Sequence, residues 1–150
     1  MNKGIRIMII DDEISVIRSI KTFLGDKYHI DGSTSSQEGL IKIKKEKFDL
    51  LVLDYYIDEL NGEQVLNEIR KFDNHIYIMF LTGYKNEVPG LISLEMLPIQ
   101  SYCDKSSEIE NIIISIESAV KSIEFFKTSK YTIADRLREL RRINNLSQDD

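Results

Sequence analysis

Asp11 and Asp12 follow the apolar run Ile5 to Ile10, and Asp54 follows Leu50 to Leu53. Thr82 follows Ile76 to Leu81, and Lys105 comes shortly after Ile99 to Tyr102. If those runs are parallel strands of one sheet, their carboxyl ends share a rim, and open α/β sheets bind ligands at that rim, where strand order reverses. Three carboxyl groups, a hydroxyl and an amine would then converge. Two carboxylates about 4 Å apart repel by roughly 1 kcal/mol in water and about 4 kcal/mol at an effective dielectric near 20. Such a cluster stabilises a fold poorly and holds a divalent cation well. Hard oxygen ligands suit Mg2+, which takes one or two carboxylates and leaves its other positions to water and phosphate oxygens. Phosphoryl chemistry is implied. Asp54 can act as the nucleophile that forms an aspartyl phosphate, Lys105 can pair with a carboxylate or a phosphoryl oxygen, and the Thr82 hydroxyl can donate to another. Taken singly, each residue reads as a cap, a turn or a solvated surface group; only their joint placement at successive strand ends points to chemistry.

The elements that must position them are legible as periodicity. Short apolar runs alternate with stretches of helical period, the signature of βα units and of a parallel sheet buried on both faces. The reading is β-α repeated five times, a doubly wound α/β fold. Ile14, Ile17, Ile20 and Leu24 form one stripe on a first helix that Gly25 ends. Tyr28 to Ile30 reads as a short edge strand. Ser35 with Glu38, and Asn61 with Gln64, have the spacing of capping boxes; the first opens a helix through Lys47, the second a helix whose inward face is Val65, Leu66 and Ile69. A fourth helix is expected over Glu87 to Met96, short because Pro89 and Gly90 stand near its start. Ser107 and Glu110 cap a fifth, whose Ile109, Ile112, Ile113, Ile116, Val120 and Ile123 make a face wider than one stripe, for core packing and in part for a second copy of the chain.

Composition sets the class. The 150 residues allow one domain with a full core and a small appendage. With 42% hydrophobic and 30% charged residues the chain is that of a soluble globular protein. A net charge of -5 argues against a basic nucleic-acid surface over the whole chain, yet the charge is uneven: residues 127 to 150 hold six basic and four acidic side chains, so the tail is +2 and the body -7. Cys103 stands alone, as a reducing cytosol tolerates, and the cytoplasm is the expected location. Met1 to Ile10 is too short for an export signal and acids follow it at once. No apolar run approaches the roughly 18 to 20 residues that span a bilayer.

The segments Met8-Ile-Ile-Asp-Asp-Glu13, Leu51-Val-Leu-Asp54, Leu81-Thr-Gly83 and Tyr102-Cys-Asp-Lys105 together resemble the receiver domain of two-component response regulators, over about residues 4 to 126. The resemblance implies a flavodoxin-like five-stranded sheet in the order 2-1-3-4-5. It implies that Asp54 is the phosphoacceptor of a phosphorelay, fed by a sensor histidine kinase, and that the chain is a switch rather than an enzyme. Asp12 would be a direct Mg2+ ligand, Asp11 a ligand through water, and Asp54 and the backbone carbonyl of Tyr56 further ligands. Thr82 and Lys105 would hold the phosphoryl group. Tyr102 would turn inward when the threonine is drawn toward the phosphate, and the fourth helix, fifth strand and fifth helix would form the surface read by partners or by a homodimer.

The sequence departs from that family's usual residues at two positions. Ser106 stands where proline usually follows the lysine, so a trans peptide is expected there, since a non-proline cis bond costs about 2.5 to 4 kcal/mol. Asp58 replaces a common proline. Tyr56 and Tyr84, each two residues past a site residue, are bulky enough to screen an acyl phosphate from water, and slow self-hydrolysis is expected.

Two rival functions use the same residues. A Mg2+-dependent phosphatase working through an aspartyl phosphate resembles families with a second aspartate two residues after the nucleophile, where this chain has Tyr56. A degenerate receiver that only binds partners would not need all five polar groups.

The tail divides from the body at residues 127 to 131, read as a linker between a receiver domain over 1–126 and a C-terminal helix over 132–150. Thr132 and Asp135 would cap that helix, with Ile133, Leu137, Leu140 and Ile143 on one side. From Ile133 onward it resembles the opening of a phage-repressor type helix-turn-helix, with Ser147 and Asp150 spaced to start the next helix. On that reading the output is transcriptional, the sequence is truncated before a recognition helix, and DNA is contacted only through the missing C-terminal part.

Overall fold

The computed structural model describes residues 4–57, 60–83 and 99–148, with side chains described throughout except at 129–136 and 146–148. Five strands, β1 (Arg6–Ile10), β2 (His29–Ser33), β3 (Leu50–Asp54), β4 (Tyr77–Thr82) and β5 (Ser101–Asp104), form one sheet in the order β2-β1-β3-β4-β5. Every neighbouring pair is parallel. Four described helices accompany them: α1 (Ile14–Leu24), α2 (Ser36–Lys45), α3 (Gly62–Arg70) and α4 (Ile109–Gln148).

The sheet is apolar on both faces because both are covered, as parallel sheets require. Ile7, Ile9, Leu50, Val52, Met79 and Leu81 face α1 and α4, meeting Ile17, Ile20, Leu24, Ile112, Ile116 and Val120. The alternate residues Met8, Ile10, Leu51, Leu53, Ile78 and Phe80 face α2 and α3, meeting Leu40, Ile43, Val65, Leu66 and Ile69. The chain crosses from β2 over β1 to β3, so strand order reverses between β1 and β3. Their carboxyl ends deliver Asp11 and Asp54 to that crevice.

Local details differ from the sequence reading. Ile14 is 46% exposed and lies outside the α1 stripe, which is Ile17, Ile20 and Leu24. Gly25 follows α1 with right-handed φ of -64°, so it needs no left-handed conformation; a Cβ there would meet the Lys21 carbonyl oxygen at 2.6 Å. The edge strand extends from His29 to Ser33, α2 stops at Lys45, and β5 begins at Ser101. Asn61 and Gln64 make both bonds of a capping box, whereas Ser35 accepts from the Glu38 N–H alone. The helix expected over Glu87 to Met96 lies outside the described residues.

The largest difference is the tail. No break occurs at 127–131: α4 runs unbroken from Ile109 to Gln148, and Thr132 and Asp135 lie inside it. The segment contains neither proline nor glycine, and two of its described hydroxyl groups are satisfied within the helix, Ser122 donating to the Ser118 carbonyl at 3.1 Å and Thr128 to that of Glu124 at 3.1 Å. Polarity alone did not stop the helix. Ile109, Ile112, Ile113, Ile116, Val120 and Ile123 all pack against the sheet-facing core, so that face is used within one chain.

Candidate functional site

Asp11 follows β1, and its backbone N–H donates to the Ser33 carbonyl at 3.1 Å, which ties the end of β1 to that of β2. Its carboxylate is fully buried. Oδ1 accepts from the Glu13 N–H at 2.8 Å and from Lys105 Nζ at 3.0 Å, while Oδ2 is buried with no hydrogen-bond partner. Asp54 ends β3, opposite Leu81 of β4, and is 3% exposed. Its Oδ1 accepts from the Tyr56 N–H at 3.1 Å and its Oδ2 from Lys105 Nζ at 3.0 Å. Asp12 is exposed at the rim.

The surrounding main chain is fixed by identifiable groups. The Tyr55 N–H donates to the Leu81 carbonyl, and the Gly62 N–H donates to that of Tyr55 at 2.8 Å. A Cβ on Gly62 would lie 2.9 Å from Tyr55 Cα and 3.2 Å from the Asp54 carbonyl oxygen, so only glycine lets α3 approach this closely. The Oγ of buried Ser36 accepts from the Leu60 N–H at 3.0 Å, which secures the loop beyond Asp54. The Lys105 N–H donates to the Thr82 carbonyl at 2.9 Å, and Thr82 Oγ1 donates to that of Cys103 at 3.5 Å. Asp104 Oδ1 accepts from both the N–H and the Oγ of Ser106, at 2.9 and 2.6 Å, which stabilises the lysine loop without proline. The Lys105–Ser106 peptide is trans, as expected.

The structure therefore brings Asp11, Asp54 and Lys105 into direct contact, with Asp12 beside them and Thr82 at the adjoining strand end. Tyr102 lies on β5 and is 51% exposed, turned away from the core. Tyr56 is 40% exposed. Tyr84 and Asp58 lie outside the described residues.

Glu13 was not foreseen as part of the site. Its Oε1 is 3.1 Å from Lys105 Nζ, so one ammonium faces three carboxylates. In the sequence it stood only as the last residue of the Met8–Glu13 motif, with no role of its own. Gly62 and Ser36 were also missed, since a glycine or serine at the first position of a helix carries no signal of what it touches.

Electrostatics reflect this imbalance. Burial raises the Asp54 carboxyl to about 6; the hydrogen bond from Lys105 opposes the rise and the Asp11 charge adds to it. Burial likewise raises Asp11, against the Glu13 N–H and Lys105. Burial disfavours the Lys105 ammonium, but its bonds to Asp54 and Asp11 outweigh that and hold it more firmly charged than usual. The lysine is stabilised in its charged form while its partners are not, because burial of the two carboxyls outweighs what one shared cation supplies, and the neighbouring acid adds to the rise.

A divalent cation fits this excess. One carboxylate oxygen from each of Asp11, Asp12 and Asp54 lies within 4.8 Å of the others. Mg2+ takes hard carboxylate oxygens of this kind, and the three are near enough to one another to be drawn toward a single ion. The partnerless Asp11 Oδ2 supplies an independent sign, since buried polar atoms ordinarily have partners.

A five-stranded doubly wound sheet with a buried acid, a lysine and two further acids at its switch point defines a receiver-type α/β module. A family model described as "Response regulator receiver domain" matches residues 7–117, and the chain belongs to that family. It is 27% identical over 122 residues to the "Uncharacterized transcriptional regulatory protein YkoG" of Bacillus subtilis, covering 81% of this chain and 53% of that protein. It is 24% identical to the transcriptional regulatory protein DltR of Streptococcus agalactiae, covering 87% of this chain and 58% of DltR. Among solved structures, it is similar to the response regulator TrrA of Thermotoga maritima in complex with Mg(2+)-BeF, at 27% identity and a TM-score of 0.64 over 77% of this chain and 98% of that one. The chain thus spans little more than half the length of the first two relatives. Among the described residues no helix is long and apolar enough to cross a membrane.

Proposed function

We propose that the chain is a phosphorylation switch in which Asp54 accepts a phosphoryl group from a phosphohistidine of a sensor kinase. The observation that carries this reading is the Asp54 carboxylate: 3% exposed, at the strand-order switch point, 3.0 Å from the Lys105 ammonium and beside an acid with a partnerless buried oxygen. An Asp54 carboxylate oxygen forms the new bond to phosphorus as the phosphorus–nitrogen bond breaks, and the histidine nitrogen keeps the electron pair. Lys105 then shifts one N–H to a phosphoryl oxygen, and the Thr82 hydroxyl turns from the Cys103 carbonyl to another. Asp11, Asp12, Asp54 and the Tyr56 carbonyl would hold Mg2+, which neutralises charge on the phosphoryl oxygens when bound.

Tyr102, exposed on β5 opposite Phe80 of β4, is the group that would report this change by turning inward. The relatives' description as transcriptional regulatory proteins supports a transcriptional output, in the cytoplasm, with residues 132–150 belonging to the output side and 127–131 a helical connector. DNA contact would belong to that side, and a homodimer would use the surface around β5 and the start of α4. No turnover of an external substrate is needed, so the chain would act as a switch rather than an enzyme.

The test is intact mass after incubation with acetyl phosphate and Mg2+. One added phosphoryl group on the wild type and none on Asp54→Asn supports the reading; equal gains on both would defeat it. Hydrolysis of unrelated phosphate esters would favour a phosphatase instead.

A further inference from the structure

We infer that Glu13 is a positioning residue for Lys105, the carboxylate that keeps the ammonium at the site when Asp11 and Asp54 are taken by other charges. This rests on the proposed phosphoacceptor reading. Lys105 Nζ has three donors and meets three acceptors: Asp11 Oδ1 and Asp54 Oδ2 at 3.0 Å, and Glu13 Oε1 at 3.1 Å. Two of these belong to the carboxylates that would bind a dication or the phosphoryl group. Glu13 alone lies outside that set.

Glu13 occupies the N-cap position of α1, where a side-chain oxygen ordinarily takes a free helix N–H. It makes no such bond. Its backbone N–H instead orients Asp11 Oδ1 at 2.8 Å, and its carboxylate reaches Lys105. Both halves of the residue serve the site at the expense of the cap. The Glu13 side chain is 61% exposed, so it can follow the ammonium outward by rotation. With Asp11 and Asp54 engaged by a dication, Glu13 would be the carboxylate left to hold Lys105, keeping the ammonium beside the acceptor.

The readout is acylation of individual lysines by an N-hydroxysuccinimide ester, quantified by peptide mass spectrometry on the whole chain, with and without Mg2+. Wild-type Lys105 is expected to react slowly in both conditions. In Glu13→Gln it should be protected without Mg2+ and react roughly two- to fivefold faster with it, the range an exposed ion pair supplies. Lys27, which is 63% exposed, should be unchanged and serves as the reference. Equal Lys105 reactivity in wild type and variant with Mg2+ would overturn the assignment. Acetyl phosphate labelling gives the second measure: Glu13→Gln should slow it, and Glu13→Gln in a Lys105→Gln background should slow it no further. A multiplicative loss in the double variant would overturn the role. Failure of the wild type to gain mass defeats the phosphoacceptor reading itself, whereas normal gain with no Glu13 effect defeats this inference alone.

Discussion

Lys105 Nζ lies 3.0 Å from Asp54 Oδ2, a contact between residues 51 positions apart that fixes the loop after β5 against the end of β3. An ion pair of this geometry ordinarily lowers a carboxyl pKa, yet Asp54 is raised to about 6 because burial outweighs the ammonium.

That shift sets the sign of a pH effect on stability. The folded-state value exceeds the unfolded value of 3.8, so folding favours protonated Asp54. The penalty for the charged form is absent below pH 4, grows between 4 and 6 and is complete above 6. Asp54→Asn should therefore stabilise the protein at pH 7.5, by on the order of 2 kcal/mol, and by far less at pH 4. Urea unfolding at the two values checks it. A variant less stable than wild type at neutral pH would show that the Lys105 contact dominates.

Magnesium should relieve the same penalty. In the absence of acetyl phosphate, Mg2+ at 100 times its dissociation constant should raise unfolding free energy by about 2.7 kcal/mol, and chelation should reverse it. Because the ligands must be deprotonated, the gain should fade as pH drops through about 6. Thermal melts across pH and metal concentration test this, and a gain that persists in Asp54→Asn would place the metal elsewhere.

Gly62→Ala should disturb the site from behind. The added methyl would meet Tyr55 Cα at 2.9 Å and the Asp54 carbonyl oxygen at 3.2 Å, both main-chain atoms that yield only by moving β3 or α3. A loss of about 1 to 3 kcal/mol is expected, with slower phosphoryl labelling. Gly83→Ala is the control: a Cβ there meets nothing within 4 Å, and φ is not positive. Equal stability of the two variants would refute the close-approach argument.

The chemistry of the rim was readable because short continuous apolar runs alternating with stretches of helical period place the strand ends, and four strand ends carried polar groups. Asp11, Asp54 and Lys105 meet as their spacing implied. What the sequence concealed was contact across elements. Glu13 stood in the motif after Asp12 with no role of its own, and nothing local reveals that its carboxylate reaches a lysine on the loop after β5. The helix through 127–131 was hidden for another reason: the stretch read as a linker, but it holds no proline or glycine to stop a helix, and the Thr128 hydroxyl is satisfied within the helix on the Glu124 carbonyl. Lys127 Nζ also pairs with Asp49 Oδ1 at 2.9 Å, a tertiary contact that holds α4 beside the base of β3.

The lifetime of the phosphorylated state should be long. Hydrolysis of an acyl phosphate on Asp54 requires water to approach in line, and Tyr56 stands two residues away with its N–H bonded to Asp54 Oδ1 at 3.1 Å. Its ring rests edge-on against Tyr55, with centroids 5.0 Å apart, and Tyr55 is in turn edge-on to Phe80 at 5.6 Å. The Tyr55 contact gives the Tyr56 ring a packing partner two residues past the acceptor. Phosphate release from labelled protein should take minutes or longer, and Tyr56→Asn should speed it several-fold. Global stability should change little, because Tyr56 is 40% exposed and surface substitutions usually stay within about 0.5 kcal/mol. Release within seconds from the wild type, or an unchanged rate in Tyr56→Asn, would show that the ring does not govern water access.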